Sequence, residues 1–127
     1  MKVGRLQIVP WARGLLIVFY ILAGINHFWH PGFYLPLIPD YLPQPKLLNA
    51  ISGWAEILLG LGMAFEGSRH WAAIGLVAML IVFVPSHVHF IQIGSCVEGG
   101  LCTPAWVAWL RLVLIHPLLI LWVWKVK

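Results

Sequence analysis

Charge is what this chain has least of. Asp, Glu, Lys and Arg together make up 9% of its 127 residues, whereas a soluble domain carries about 25%. So little charge cannot cover a water-exposed fold, and a soluble globular domain is excluded. Cysteine is almost absent too, with two residues, Cys96 and Cys102, in a C-x5-C spacing. That spacing is neither a thioredoxin-type C-x-x-C nor a zinc knuckle. No Walker, Rossmann, HExxH or nucleophile-elbow pattern occurs, so the familiar nucleotide, zinc-protease and serine-hydrolase chemistries are not indicated. Internal repeats and low-complexity tracts are missing as well. These absences leave open whether the chain is an enzyme.

What is present is apolar. Hydrophobic residues make up 61% of the chain, and the mean hydropathy is +0.91. This describes an integral membrane protein with a single domain, residues 1–127. Apolar runs at about residues 11–28, 47–66, 71–91 and 104–124 are each long enough to span a bilayer as a helix. The expected fold class is all-α, an integral membrane four-helix bundle. The first run follows Lys2, Arg5 and Arg13, is too long for a signal peptide and lacks an A-x-A cleavage pattern, so it is expected to remain as a membrane helix.

The net charge of +4 and pI near 9.4 encode topology; no nucleic acid is expected as a partner. Lys2, Arg5 and Arg13 precede the first run, Arg69 lies between the second and third, and Lys125 and Lys127 follow the fourth. Only Lys46 lies on the opposite side. Both termini should therefore be cytoplasmic. The lipid bilayer is the partner these features name, and Trp122 and Trp124 before Lys125 fit an interfacial belt.

The second run contains a carboxylate at an unfavourable depth. Glu56 lies ~14 Å into an apolar helix counted from Leu47, near the middle of a ~30 Å hydrocarbon layer. An ionisable group there faces a bundle interior and marks a functional or pairing site. Asn49, Ser52, Gly53, Glu56 and Gly60 fall on one side of the helix. On the first helix, Tyr20, Ala23, Gly24 and His27 share a side whose small residues allow close approach.

Other ionisable groups converge on the same half. His27 ends the first run, and His87 and His89 follow Pro85, which should kink the third run and free a carbonyl near Ile81. Arg111 lies about 10 Å below Pro104 in the fourth. Arg keeps its proton and needs a partner, so Glu56 with Arg111 is the expected pair. It either fixes helix register, the preferred reading, or holds an ionised carboxylate for a proton, metal or polar ligand. The ligand pocket is expected from His27, Tyr34, Asn49, Ser52, Glu56, Ser86, His87 and Arg111.

A transition metal held by His27, Glu56, His87 and His89 is a weaker alternative, because i, i+2 histidines diverge on a regular helix. His116 is about 140° from Arg111 around the helix and is expected to cap groups freed by Pro117, while His30 reads as an interfacial loop residue.

The connection HPGFYLPLIPDYLPQPK, residues 30–46, is too rich in proline for a regular helix and too apolar for a solvated loop. It should lie on the outer side as a cap over the bundle, or as an amphipathic connector among headgroups. Residues 67–70, GSRH, are expected to form a tight turn. Cys96 and Cys102 lie in the second outer loop, where an oxidising compartment favours a structural disulfide between them.

Residues 23–63 resemble the DoxX-like family of small four-helix membrane proteins. The resemblance rests on A-G-x-x-H-F-x-x-P-x-x-Y (Ala23, Gly24, His27, Phe28, Pro31, Tyr34) and S-G-x-x-E-I-x-x-G-L (Ser52, Gly53, Glu56, Gly60). F-x-P at Phe83 and Pro85 and W-L-R-L from Trp109 extend it along the chain. Two positions depart from the pattern: Ser86-His87 stands where a small residue and Asn are usual, and Ile115 precedes His116 where a Gln is usual. Both departures bring an imidazole, which favours a metal or proton role particular to this chain.

The resemblance implies an accessory subunit of a redox system linked to quinones or thiols, in a bacterial-type inner (plasma) membrane. Quinone is then the leading ligand, and membrane redox-complex subunits or a second copy of the chain are the protein partners. A non-catalytic assembly or scaffold protein is the alternative of a different class.

Overall fold

A computed structural model describes residues 2–127, with side chains from Pro10 onward. The side chains of Lys2 and Arg5, on which the topology reading partly rests, lie outside the described residues. The protein is all-helical, with 79% of residues in helix and no strand among the described residues. Helix α1 spans Lys2–Trp29. A short α2, Pro31–Tyr34, and a 3-10 turn, Leu35–Leu37, follow. Then come α3, Pro45–Gly62; α4, Glu66–Val82; and α5, Val84–Gln92. The last stretch is α6, Ala105–Leu110, a π-helical segment Arg111–Ile115, and α7, His116–Val126.

Three helical stretches are long and apolar enough to cross a membrane: Pro10–Trp29, Glu66–Gln92 and Ala105–Val126. Helix α3, expected as a fourth, is not among them. Lys46, Asn49, Ser52 and Glu56 dilute its apolar content. Its boundaries also differ from the expected 47–66. Glu66 starts α4 instead of ending α3, placing an acid in a helix first turn, where the positive end of the helix dipole favours it.

The expected GSRH turn therefore moves upstream, to Met63–Phe65. The GSRH side chains serve that turn. Ser68 Oγ donates to the Gly62 carbonyl at 2.8 Å and Arg69 Nε to the Met63 carbonyl at 2.9 Å, satisfying acceptors that a helix end leaves open.

Helix α1 packs on α3 and α7, and α4 packs on α3 and α7. At one end of this arrangement Leu16, Met63, Ala73, Leu76 and Val123 are fully buried in a common apolar core. Arg13 Nε donates to the Val126 carbonyl at 2.7 Å, and Trp122 Nε1 to the Ala12 carbonyl at 3.0 Å. Trp122 thus ties α7 to α1. At the far end, the proline-rich stretch between α1 and α3 is not purely irregular. Pro31 is the first residue of α2 and Pro36 the second of the 3-10 turn, within the first turn where a missing N–H costs no helical hydrogen bond.

Candidate functional site

The site begins where two helices lose their side chains. A Cβ on Gly24 would lie 2.6 Å from the Gly53 carbonyl oxygen, and one on Gly53 would lie 2.8 Å from the Phe28 ring. The backbones of α1 and α3 therefore touch. His27, one turn beyond Gly24, is brought between Asn49 and Glu56, which flank Gly53 on α3. These three polar residues are each 6% exposed, and burial without partners would be costly.

They partner one another. Asn49 Nδ2 donates to the His27 carbonyl at 2.9 Å, while Asn49 Oδ1 lies 2.7 Å from His27 Nδ1. A carbonyl only accepts, so the amide nitrogen must face it and the amide oxygen must face the ring. His27 Nδ1 therefore carries a hydrogen and donates it. Nε2 then points to Glu56 Oε2 at 3.2 Å, within ion-pair range although off the line of a hydrogen bond. Tyr34 stacks on the His27 ring with centroids 3.7 Å apart and planes 17° from parallel. Its hydroxyl accepts from Asn26 Nδ2 at 2.7 Å, and Asn26 Oδ1 accepts from the exposed His30 Nδ1 at 2.8 Å. Burial pushes the Tyr34 phenol up from its ordinary value.

The opposite wall is built by two helix irregularities. Pro85 has no N–H to give, and the third long stretch breaks at Phe83 into α4 and α5. His116 Nε2 reaches across to the Leu80 carbonyl just before that break. Pro117 next to it interrupts the ladder of the last stretch in the same way. The His116 N–H bonds the Arg111 carbonyl five residues back, the widened π geometry often found at functional positions. Arg111 stands at the start of that widened turn. Its guanidinium carbon lies 5.4 Å from the Phe90 ring centroid, and Nη1 is buried without a hydrogen-bond partner. The His87 ring meets the His116 ring at 4.7 Å.

Between these walls is a cavity of about 220 Å³. His27, Tyr34, Asn49, Ser52, Glu56, Ser86, His87 and Arg111, the residues expected to form a pocket, all line it. Phe33, Leu37, Ile38, Leu42, Leu48, Val82, Phe83 and Phe90 complete it, so polar groups project from largely apolar walls. Several of these belong to the segment between α1 and α3.

Other expectations need correction. Glu56 does not pair with Arg111: the ion pair among the described residues is His27–Glu56. The close α1–α3 contact delivers an imidazole to the carboxylate, while the π turn leaves Arg111 against Phe90. No group of three or more His, Cys, Asp or Glu that could hold a metal ion occurs among the described residues. His27 and Glu56 meet, but His87 pairs off with His116, and His89 does not line the cavity. The i, i+2 divergence is preserved because α5 is regular from Val84 to Gln92. His116 caps a carbonyl of α4 and not one freed by Pro117. Cys96 and Cys102 are joined, with Sγ atoms 2.08 Å apart.

Sequence reasoning missed Asn26, Phe90 and the reach of His116. Asn26 had a signal, since it is one turn before His30 on the face that meets Tyr34. Nothing in the spacing of Phe90 tied it to Arg111.

No curated protein and no solved structure matches the chain. A family model, described as Domain of unknown function (DUF8561), matches residues 16–127. That span holds every residue of the cavity, and the chain belongs to this family.

Proposed function

We propose that this chain is a multi-pass protein of a bacterial-type inner membrane. In this reading it is a DoxX-like four-helix bundle in which α3 is a fourth span made tolerable by its neighbours. It serves as an accessory subunit of a quinone- or thiol-linked redox system and binds a small amphipathic ligand in the cavity. The observation that carries the binding reading is Arg111, which lines an apolar-walled cavity that also holds the His27–Glu56 pair and whose Nη1 is buried without a hydrogen-bond partner. Buried polar groups are ordinarily satisfied, and one left open at a cavity is explained by a ligand. The volume, about 220 Å³, suits a head group more than a whole drug-sized molecule, for which pockets run ~300–1,000 Å³.

Orientation is supported by Arg13 and Arg69, which join the turn and chain end near Lys125 and Lys127. Both termini are then cytoplasmic and the cavity with its cover opens outward. The test is thermal stability of the detergent-solubilised protein against short-tailed quinones and membrane lipid extracts. Stabilisation that disappears in Glu56→Gln and Arg111→Gln supports the reading. No shift with any compound contradicts it.

A second reading, a non-catalytic assembly protein, is favoured by one feature: the His27–Asn49–Glu56 network knits α1 to α3. It predicts that Glu56→Gln lowers stability while co-purification of partner subunits persists.

A further inference from the structure

The ligand class of this cavity follows from where its protons must be. His27 Nδ1 is committed as a donor to Asn49 Oδ1, because the amide nitrogen is held by a backbone carbonyl. The Nε2 lone pair would then face Glu56 Oε2 at 3.2 Å. Two unprotonated atoms at this distance would repel each other in a buried site, so we assign the pair one proton, carried by Nε2 or by the carboxyl. Whichever atom holds it, His27 and Glu56 together carry no net charge. Tyr34 is a neutral phenol, and His87 adds no negative charge in either protonation state. Arg111 keeps its proton and has no acid within ion-pair reach among the described residues. The cavity therefore holds at least one positive charge, that of Arg111, and no negative charge to balance it.

The geometry points to a monoanionic amphiphile as the ligand: a carboxylate or phosphate head beneath an aliphatic tail, with the head on Arg111. This rests on the binding reading above and narrows it. The tail has a route out. Phe33, Leu42 and Val82 line the cavity and are also exposed, Val82 to 70%. An apolar opening admits a hydrocarbon chain, whereas a hydrophilic ion arriving from water would have to be stripped at that threshold. A planar head can also take two parallel hydrogen bonds from guanidinium, which an ammonium cannot offer.

The test is calorimetric titration of the full chain in a neutral maltoside detergent with decanoate, the diester decyl methyl phosphate, decanol and a short-tailed quinone. Binding of either anion about tenfold or more tighter than decanol is expected, the worth of a charged hydrogen bond. The relative strength of decanoate and decyl methyl phosphate separates a fatty-acid from a phospholipid source. Arg111→Gln should remove that preference, and Arg111→Lys should restore part of it. Should Arg111→Gln not fold, the wild-type anion-to-alcohol ratio and the Lys variant decide. Decanol or the quinone binding as tightly as the anions would overturn this inference and leave the binding reading standing. Failure of all four to bind would end both.

Discussion

The helices of this protein are packed in one way at the end where α1 begins and in another where it finishes. At the first end Leu16, Met63, Ala73, Leu76 and Val123 are completely buried, and Arg13, Trp122, Ser68 and Arg69 each find a backbone carbonyl. At the second, the helices line a cavity of about 220 Å³ and leave an Arg111 nitrogen without a partner. Two helix irregularities lie at this end: Pro85 follows the break of α4 from α5, and a π turn starts at Arg111. Packed apolar interiors resist change, so the first end holds the helices together. The second end is where the molecule can bear unsatisfied chemistry.

Substitutions can break or sharpen this contrast. The largest effect is expected at the seam from which the two ends part. Gly24→Val puts side-chain carbon where the Gly53 carbonyl stands, 2.6 Å from an ideal Cβ. Overpacking against backbone should cost about 3 kcal/mol or more, read as loss of the folded species by size-exclusion chromatography. Next comes the packed end. Leu76→Ala, fully buried, should lower the unfolding free energy by about 3 kcal/mol, measured by denaturant titration in micelles.

At the cavity end, His27→Ala strands Asn49 Oδ1 and Glu56 and should cost about 2 kcal/mol. Glu56→Gln in the same background should return part of that loss, because the uncompensated acid is then gone. If Leu76→Ala proves milder than His27→Ala, the division of labour between the ends is wrong.

The smallest effect concerns pH. Burial raises the Tyr34 phenol, so its contribution is fully present below the ordinary Tyr value of about 10. It is lost as pH climbs through the raised one. Tyr34→Phe should flatten that alkaline decline in a melting-temperature profile.

Much of this was legible in the sequence, for a geometric reason. Asn49, Gly53, Glu56 and Gly60 recur at helical spacing, and all are buried on α3. Periodicity fixes which face of a helix turns inward, and that was enough to bring His27, Ser52, Ser86, His87 and Arg111 to one cavity. Pairing across helices was not legible. The choice between His27 and Arg111 as the partner of Glu56 depends on how far each helix is rotated. Rotation depends on a backbone-to-backbone approach at Gly24 and on a π turn that no spacing rule announces. The end of α3 is hidden in the sequence because Glu66 directly follows the apolar run, although an acid there belongs to the next helix start.

The proton between His27 and Glu56 is the claim on which the charge of the cavity depends, and nitrogen NMR of the His27 ring tests it directly. A protonated Nδ1 is expected at neutral pH, with the second proton of the pair on Nε2 or on the Glu56 carboxyl. In Glu56→Gln, Nε2 should change toward the unprotonated type while Nδ1 keeps its hydrogen. An unprotonated Nδ1 in the wild-type protein would contradict the account, since Glu56 would then be free to balance Arg111.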